Sequence, residues 1–264
     1  MIEVKDLSFS YLAGIPVLRE INLNFDQRST AIIGQNGTGK TTLVKLLKGL
    51  LKTTTGEIII SGHNTKELTV SQLSKHIGLV FQNPNDQIFK NNVLTEVEFG
   101  PLNVGKSTKE ARELSLQALE MLNLTHLQEE NPYDLSLSER KLISIASIIA
   151  MDTEIIILDE PTIAQDWLGK ELIKKTIRSL EAAGKLVITI IHDMDFVADV
   201  FERTIVMEKG QVILDGPTRD VFAHDEILKR AYLEAPNVTQ LCKQLGEKEV
   251  FLTVEEYINF RLNK

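Results

Sequence analysis

The segment Gly34-Gln35-Asn36-Gly37-Thr38-Gly39-Lys40-Thr41 fits G-x-x-x-x-G-K-[ST], and it lies between the short apolar run that ends in Gly34 and a leucine-bearing stretch from Lys40. Within that stretch Leu43, Leu46, Leu47 and Leu50 recur at helical spacing. Strand, glycine-rich loop and helix, in that order, is the context in which this motif has a physical meaning. The glycines let successive backbone N–H groups converge on phosphate oxygens with no Cβ in the way. Lys40 would reach β- and γ-phosphates, Thr41 would offer its hydroxyl to Mg²⁺, and the helix opening at Lys40 would add the positive end of its dipole. The fixed positions match by chance in roughly one chain in a hundred.

The rest of the chain is patterned around that unit. Ile2 and Val4, and then Ile21, Leu23 and Phe25, alternate with polar neighbours, as half-buried antiparallel strands do, and a further strand follows from Glu57. From about residue 86 to 150 the reading is helical, with Leu114, Ala118, Leu119, Met121 and Leu122 giving the period. Two strongly apolar runs, EIIILDE to Glu160 and KLVITIIHD to Asp193, read as buried strands bounded by charge. Between them KELIKKTIRSLEAAG reads as a helix stopped by Gly184. Strands alternating with helices imply an α/β fold with a parallel sheet and right-handed crossovers. In the tail, Val238, Leu241, Cys242 and Leu245 form one helical stripe ended by Gly246, and Thr253-Val254-Glu255-Glu256 matches a capping box that opens a last helix.

Composition bounds the partners. The 264 residues suffice for one large domain and something smaller, and 43% hydrophobic content supplies a core. A net charge of −8 removes the electrostatic drive for binding nucleic acid or anionic lipid. One cysteine, Cys242, excludes an internal disulfide and a cysteine zinc site. His63, His76, His126 and His224 show no metal spacing. The longest uncharged stretch, Leu7 to Leu18, is too short to span a bilayer, and the opening MIEVKD has no apolar signal core. The expectation is a soluble intracellular chain that is held at a membrane, if at all, by another protein.

A second chemical feature is the strand Ile155-Ile156-Ile157-Leu158 ending in Asp159 and Glu160. Ligands bind at the carboxyl ends of parallel strands, so these acids should lie beside the phosphate loop. Asp159 would then hold Mg²⁺, and Glu160 would act as general base on the attacking water.

With GQNGTGKTT, a later LS-x-x-x stretch, an apolar run into DEPT and a strand ending in His192, residues 1 to about 224 resemble the ATP-binding subunit of an ABC transporter. The resemblance implies a P-loop parallel-sheet core, an N-terminal antiparallel β subdomain, a helical subdomain inserted at about 86–150, and here a helical extension over 225–264. It implies ATP as ligand with Mg²⁺, held by Asn36, Gly37, Thr38, Gly39, Lys40, Thr41 and Thr42. Tyr11 would stack on adenine. Gln82 would contact Mg²⁺ and sense the membrane partner. His192 would lie near the γ-phosphate, and Asp166 matches the D-loop aspartate. Ser136 sits in the signature segment, which would face the ATP of a partner subunit.

FQNPNDQIF followed by TEVEFGPLNVG, with EAPNVTQLCKQLG in the tail, resembles the ATPases of energy-coupling-factor importers of vitamins and transition-metal ions. That implies a second, non-identical ATPase as dimer partner, paired through the tail, with a transmembrane coupling protein and a substrate-capture membrane protein. The location would be the cytoplasmic face of the cell membrane. The alternatives are another ABC transporter type, a soluble non-transport ABC ATPase, and a module that binds ATP without hydrolysing it; the presence of Glu160 speaks against the last. Two departures from the family pattern stand out. Leu137, Ser138 and Glu139 replace glycine, glycine and glutamine in the signature, and Ile163-Ala164-Gln165-Asp166 replaces a glycine-leucine D-loop. Leu137 adds bulk and Glu139 adds charge where another subunit's triphosphate would approach, which predicts two unequal ATP sites.

Overall fold

Alternating apolar residues at the N-terminus become strands β1 (Ile2–Phe9) and β2 (Leu18–Phe25), with β3 (Thr30–Ile33) buried throughout its length. The computed structural model describes residues 1–12 and 14–263; Lys264, the end of the expected extension, lies outside the described residues. Helix α1 (Lys40–Leu47) follows the loop, and then β4 (Thr55–Ile60), β5 (His63–Asn64), the short α2 (Val70–Leu73) and β6 (Ile77–Val80). Three helices, α3 (Val93–Asn103), α4 (Thr108–Met121) and α5 (Leu137–Ile149), fill the region expected to be helical. The chain then alternates β7 (Ile155–Asp159), α6 (Trp167–Ala182), β8 (Leu186–Ile190), α7 (Met194–Val200), β9 (Arg203–Glu208) and β10 (Gln211–Pro217). It closes with α8 (Thr218–Ala223), α9 (Asp225–Arg230), α10 (Asn237–Gln244) and α11 (Val254–Leu262).

Two sheets result. The antiparallel one has the order β2-β1-β4-β5, and the larger one β10-β9-β3-β8-β7-β6. In the larger sheet β9, β3, β8, β7 and β6 pair in parallel, and only β10 is antiparallel. Strands β3, β6, β7 and β8 are buried on both faces because both faces are covered. Ile155 and Ile157 of β7 face a core shared with α1 and the antiparallel sheet, whereas Ile156 and Leu158 face a core shared with the helices. The sheet-to-helix order puts the ends of β3, β7 and β8 at one edge, the edge where the glycine-rich loop turns.

The tail differs from the expectation in three respects. Val238, Cys242 and Phe251 form a small cluster with Tyr257 and Phe260, but Leu228, Ala231 and Leu233 still belong to the larger core. The packing boundary therefore falls nearer residue 236 than 225, because α9 continues directly from α8 and buries its apolar side on the main body. The stripe on α10 is also split: Val238 and Cys242 are buried, while Leu241 and Leu245 are 51% and 60% exposed. Phe251 covers only the i, i+4 pair. In the capping box Thr253 accepts the Glu256 N–H as expected, but the Glu256 carboxylate accepts from Leu252 N–H and from Arg219 rather than from Thr253.

Candidate functional site

The loop that enters α1 is held open by backbone that a side chain would strain. Gly39, the residue before the helix, has φ +99°, and a Cβ there would lie 2.6 Å from Leu18 Cδ2. No side chain caps α1 and its first turn holds no acid, so its leading N–H groups face the loop's concavity. Asn36, Gly37, Gly39, Lys40, Thr41 and Thr42 line a cavity of about 400 Å³ there. Gln82, Asp159, Glu160 and His192 line the same cavity from three other segments. Thr38 is placed differently: its hydroxyl donates to Gln35 O at 2.9 Å and so braces the loop from behind. Tyr11 is 57% exposed and meets the cavity's Thr42 through a 3.3 Å hydroxyl–hydroxyl bond. Ser136 and Asp166 do not line the cavity. Each caps a helix instead, Ser136 at α5 and Asp166 at α6.

Charge is concentrated on the floor. Lys40 Nζ donates to the carbonyls of Gly34 at 2.6 Å and Gln35 at 2.9 Å, so the ammonium is folded onto its own loop. Burial lowers its pKa, against the opposing pull of Glu160 and Asp159. Asp159 is 3% exposed and its pKa is raised by burial, with the Thr41 hydroxyl the first group to counter that. Its Oδ1 is buried without a hydrogen-bond partner among the described residues. An orphaned carboxylate oxygen beside a threonine hydroxyl is a hard-oxygen donor set that suits Mg²⁺. Glu160 is pushed up to about 7 by burial first and by the Asp159 charge second. Its Oε1 lies 2.9 Å from His192 Nε2. Burial and then Lys40 lower the His192 pKa, which favours the neutral imidazole. Glu160 also holds φ +51°, a left-handed conformation that is uncommon for a side-chain-bearing residue. A carboxylate with a pKa near neutrality, oriented by a histidine beside an anion cradle, is equipped to accept a proton from water.

Lys141 carries no motif and escapes sequence reading, and so does the contact between Ser138 and Gln165. Lys141, in α5, is 1% exposed and bonds to the carbonyls of Phe81, Gln82 and Asp159. Burial lowers its pKa to about 8. Its only sequence signal is a lysine directly before the apolar run that begins at Leu142. Ser138 and Gln165, two of the departures from the family pattern, bond to each other: Ser138 Oγ lies 3.0 Å from Gln165 Oε1, and Gln165 Nε2 donates to Ser138 O at 3.1 Å. Gly169 leaves room for that amide, since a Cβ there would lie 2.3 Å from Gln165 Oε1. Glu139, expected as a free charge in front of α5, is folded back. Its Oε2 accepts from Ser136 N–H at 2.8 Å and Ser136 Oγ at 2.7 Å, and these bonds depress its pKa. Ala164 keeps a glycine-like φ of +62°.

Comparison with known proteins places these features. The sequence family described as ABC transporter matches residues 18–163. A putative ABC transporter ATP-binding protein of Pyrococcus furiosus is 41% identical over 98% of this chain and 98% of its own. The energy-coupling factor transporter ATP-binding protein EcfA of Methanothermobacter thermautotrophicus is 37% identical over 97% of this chain and 85% of its own. The solved structure of cbiO1 from Clostridium perfringens, described as part of the ABC transporter complex cbiONQ, superposes with a TM-score of 0.77. It is 32% identical over 92% of this chain and 98% of that one.

Proposed function

This chain belongs to the ABC transporter family of ATP-binding, ATP-hydrolysing subunits, and we propose that it powers import of a micronutrient, a vitamin or transition-metal ion, through an energy-coupling-factor membrane partner. One observation carries the reading. Gln82 lines the nucleotide cavity, and the segment that continues from it lines an exposed apolar groove of about 450 Å³. Phe81, Phe89, Phe99, Val104 and Met151 are among the groove's walls, and Phe89 and Phe99 are substantially exposed. One stretch of backbone thus faces ATP at one end and a docking surface at the other. The stretch is the FQNPNDQIF…TEVEFGPLNVG segment that resembles energy-coupling-factor ATPases, and EcfA matches the chain across it. Among the described residues no helix is long and apolar enough to cross a membrane.

In this reading the α1 N-terminus, Asn36 to Thr42, and Lys40 bind the triphosphate, and Tyr11 stacks on the base. Thr41, Asp159 and Gln82 hold Mg²⁺, which when bound offsets phosphate charge. Glu160 takes the proton of the attacking water, and His192 orients Glu160 and faces the γ-phosphate. Ser136 and Asp166 serve the interface with a second ATPase subunit. The exposed Leu241 and Leu245, with Ile258 and Leu262, offer that subunit an apolar tail surface. The functional units in this reading are the ATPase domain, 1–224 with its helical insertion at 86–150, and the pairing extension, 225–264, whose first helix, α9, packs on the main body.

The test is co-expression with a second ATPase and a transmembrane coupling protein from adjacent reading frames, followed by uptake of labelled vitamin or metal ion. Phe99→Glu should abolish co-purification with the membrane subunit while ATP binding persists. Unchanged co-purification would remove the groove from the reading, and uptake that does not depend on Glu160 would overturn it.

A further inference from the structure

The ladder between β6 and β7 ends at the pair Val80 and Leu158. The residues that follow lead into the cavity: Phe81 and then Gln82, which lines it, on one side, and Asp159 and Glu160, which both line it, on the other. On its far side β7 remains tied, by the pair Asp159 and Ile190 and by Glu160 N–H to Ile190 O at 3.0 Å. On its near side no backbone ladder continues, and parallel strands diverge from such a point. Lys141 occupies the gap. Its ammonium has three N–H donors, and all three go to main-chain carbonyls: Phe81 O at 2.8 Å, Gln82 O at 3.0 Å and Asp159 O at 2.9 Å. A fully buried ammonium with no carboxylate partner is costly unless every donor is satisfied, so the site is specific in its geometry.

The same turn of α5 makes two more cross-links. Arg140 Nη1 donates to Asn85 Oδ1 at 3.0 Å, in the turn that follows Gln82. Ser138 joins Gln165 in the segment that follows Glu160. Helix α5 therefore grips both sides of the site at once.

We propose that Lys141 is a positioning residue for ATP hydrolysis: it holds Gln82 and the Asp159–Glu160 pair at a set spacing and makes that spacing follow helix α5. The inference rests on the assignment of Gln82, Asp159 and Glu160 given above. It places the transmission point between the helical subdomain and the reacting water at one side chain. Movement of α5, driven through the exposed groove its neighbours line, reaches the general base through this ammonium.

The experiment compares full-length Lys141→Met and Lys141→Gln in the hydrolysing assembly, with Glu160→Gln as control. Methionine keeps the length and apolar stem but donates nothing; glutamine restores donors on a shorter stem. Lys141→Met should leave KM for ATP within about threefold and lower kcat about tenfold or more, since small misplacements of reacting groups act on kcat. Lys141→Gln should recover part of that loss. If Lys141→Met does not fold, Lys141→Gln alone should still show reduced kcat with unchanged KM and melting temperature. A kcat within about twofold of wild type in both variants would overturn the proposal, and so would KM, kcat and thermal stability falling together in Lys141→Gln. If Glu160→Gln itself hydrolyses normally, the assignment of the base fails rather than the role of Lys141.

Discussion

Glu160, proposed above as the general base, carries a folding penalty at that position. Its pKa stands near 7 in the fold against 4.5 for a free glutamate, because burial and Asp159 both oppose ionisation. A carboxylate with a raised folded pKa destabilises the protein once pH exceeds the unfolded value, and does so fully above the folded one. Below pH 4.5 both states hold the proton and the penalty vanishes. Glu160→Gln should therefore raise the melting temperature at pH 8, by up to roughly 2–3 kcal/mol of stability, with the gain shrinking as pH falls from 7 toward 4.5. Calorimetry at pH 8 and pH 5 measures it, and an equal gain at both would refute the burial account. The same variant should bind ATP and hydrolyse it about 10²-fold more slowly, read by single-turnover kinetics, as expected for loss of a general base.

At the scale of elements, the altered signature is less a loss than an internal rewiring. Ser138 stands where the family has glycine and Gln165 where it has leucine; the Ser138 hydroxyl donates to the Gln165 amide oxygen, and the Gln165 amide N–H donates to the Ser138 main-chain carbonyl. Restoring glycine alone leaves the Gln165 amide oxygen without its donor, restoring leucine alone leaves the Ser138 hydroxyl without its acceptor, and restoring both removes that bond cleanly. Ser138→Gly, Gln165→Leu and the double variant should show a coupling of about 0.5–1.5 kcal/mol in denaturant unfolding. Additive effects would mean that the contact is incidental. Helix α10 poses the complementary question. Leu241→Ser with Leu245→Ser removes exposed apolar surface only, so sedimentation should show weaker pairing of ATPase subunits with unchanged secondary structure.

The whole molecule offers one complete cradle and one modified signature. Glu139 is bound to Ser136, so a phosphate approaching α5 meets a helix N-terminus already occupied by a carboxylate. Displacing or tolerating it should cost the partner's ATP site transition-state stabilisation, ~2–4 kcal/mol if one donor is lost. In a heterodimer whose other subunit has an intact signature, removing Glu160 should abolish most turnover, and removing the partner's equivalent base should matter much less. Equal losses from the two variants, or an assembly in which this chain pairs only with itself, would refute the asymmetry.

The phosphate loop, the acids at the end of β7, His192 at the end of β8 and the α/β alternation were all readable from the sequence. Each depends on local rules: glycine where φ must be positive, alternation where one face is buried, and strand ends where ligands collect. Lys141 could not be read that way, because lysine is ordinarily a surface residue and only the approach of two strand ends and a helix supplies its three carbonyls. Nor could the Ser138–Gln165 pair, whose members are 27 residues apart. The exposure of Leu241 and Leu245 was likewise decided by what packs against α10, since a helical stripe states which residues share a face and leaves open how much of that face is covered.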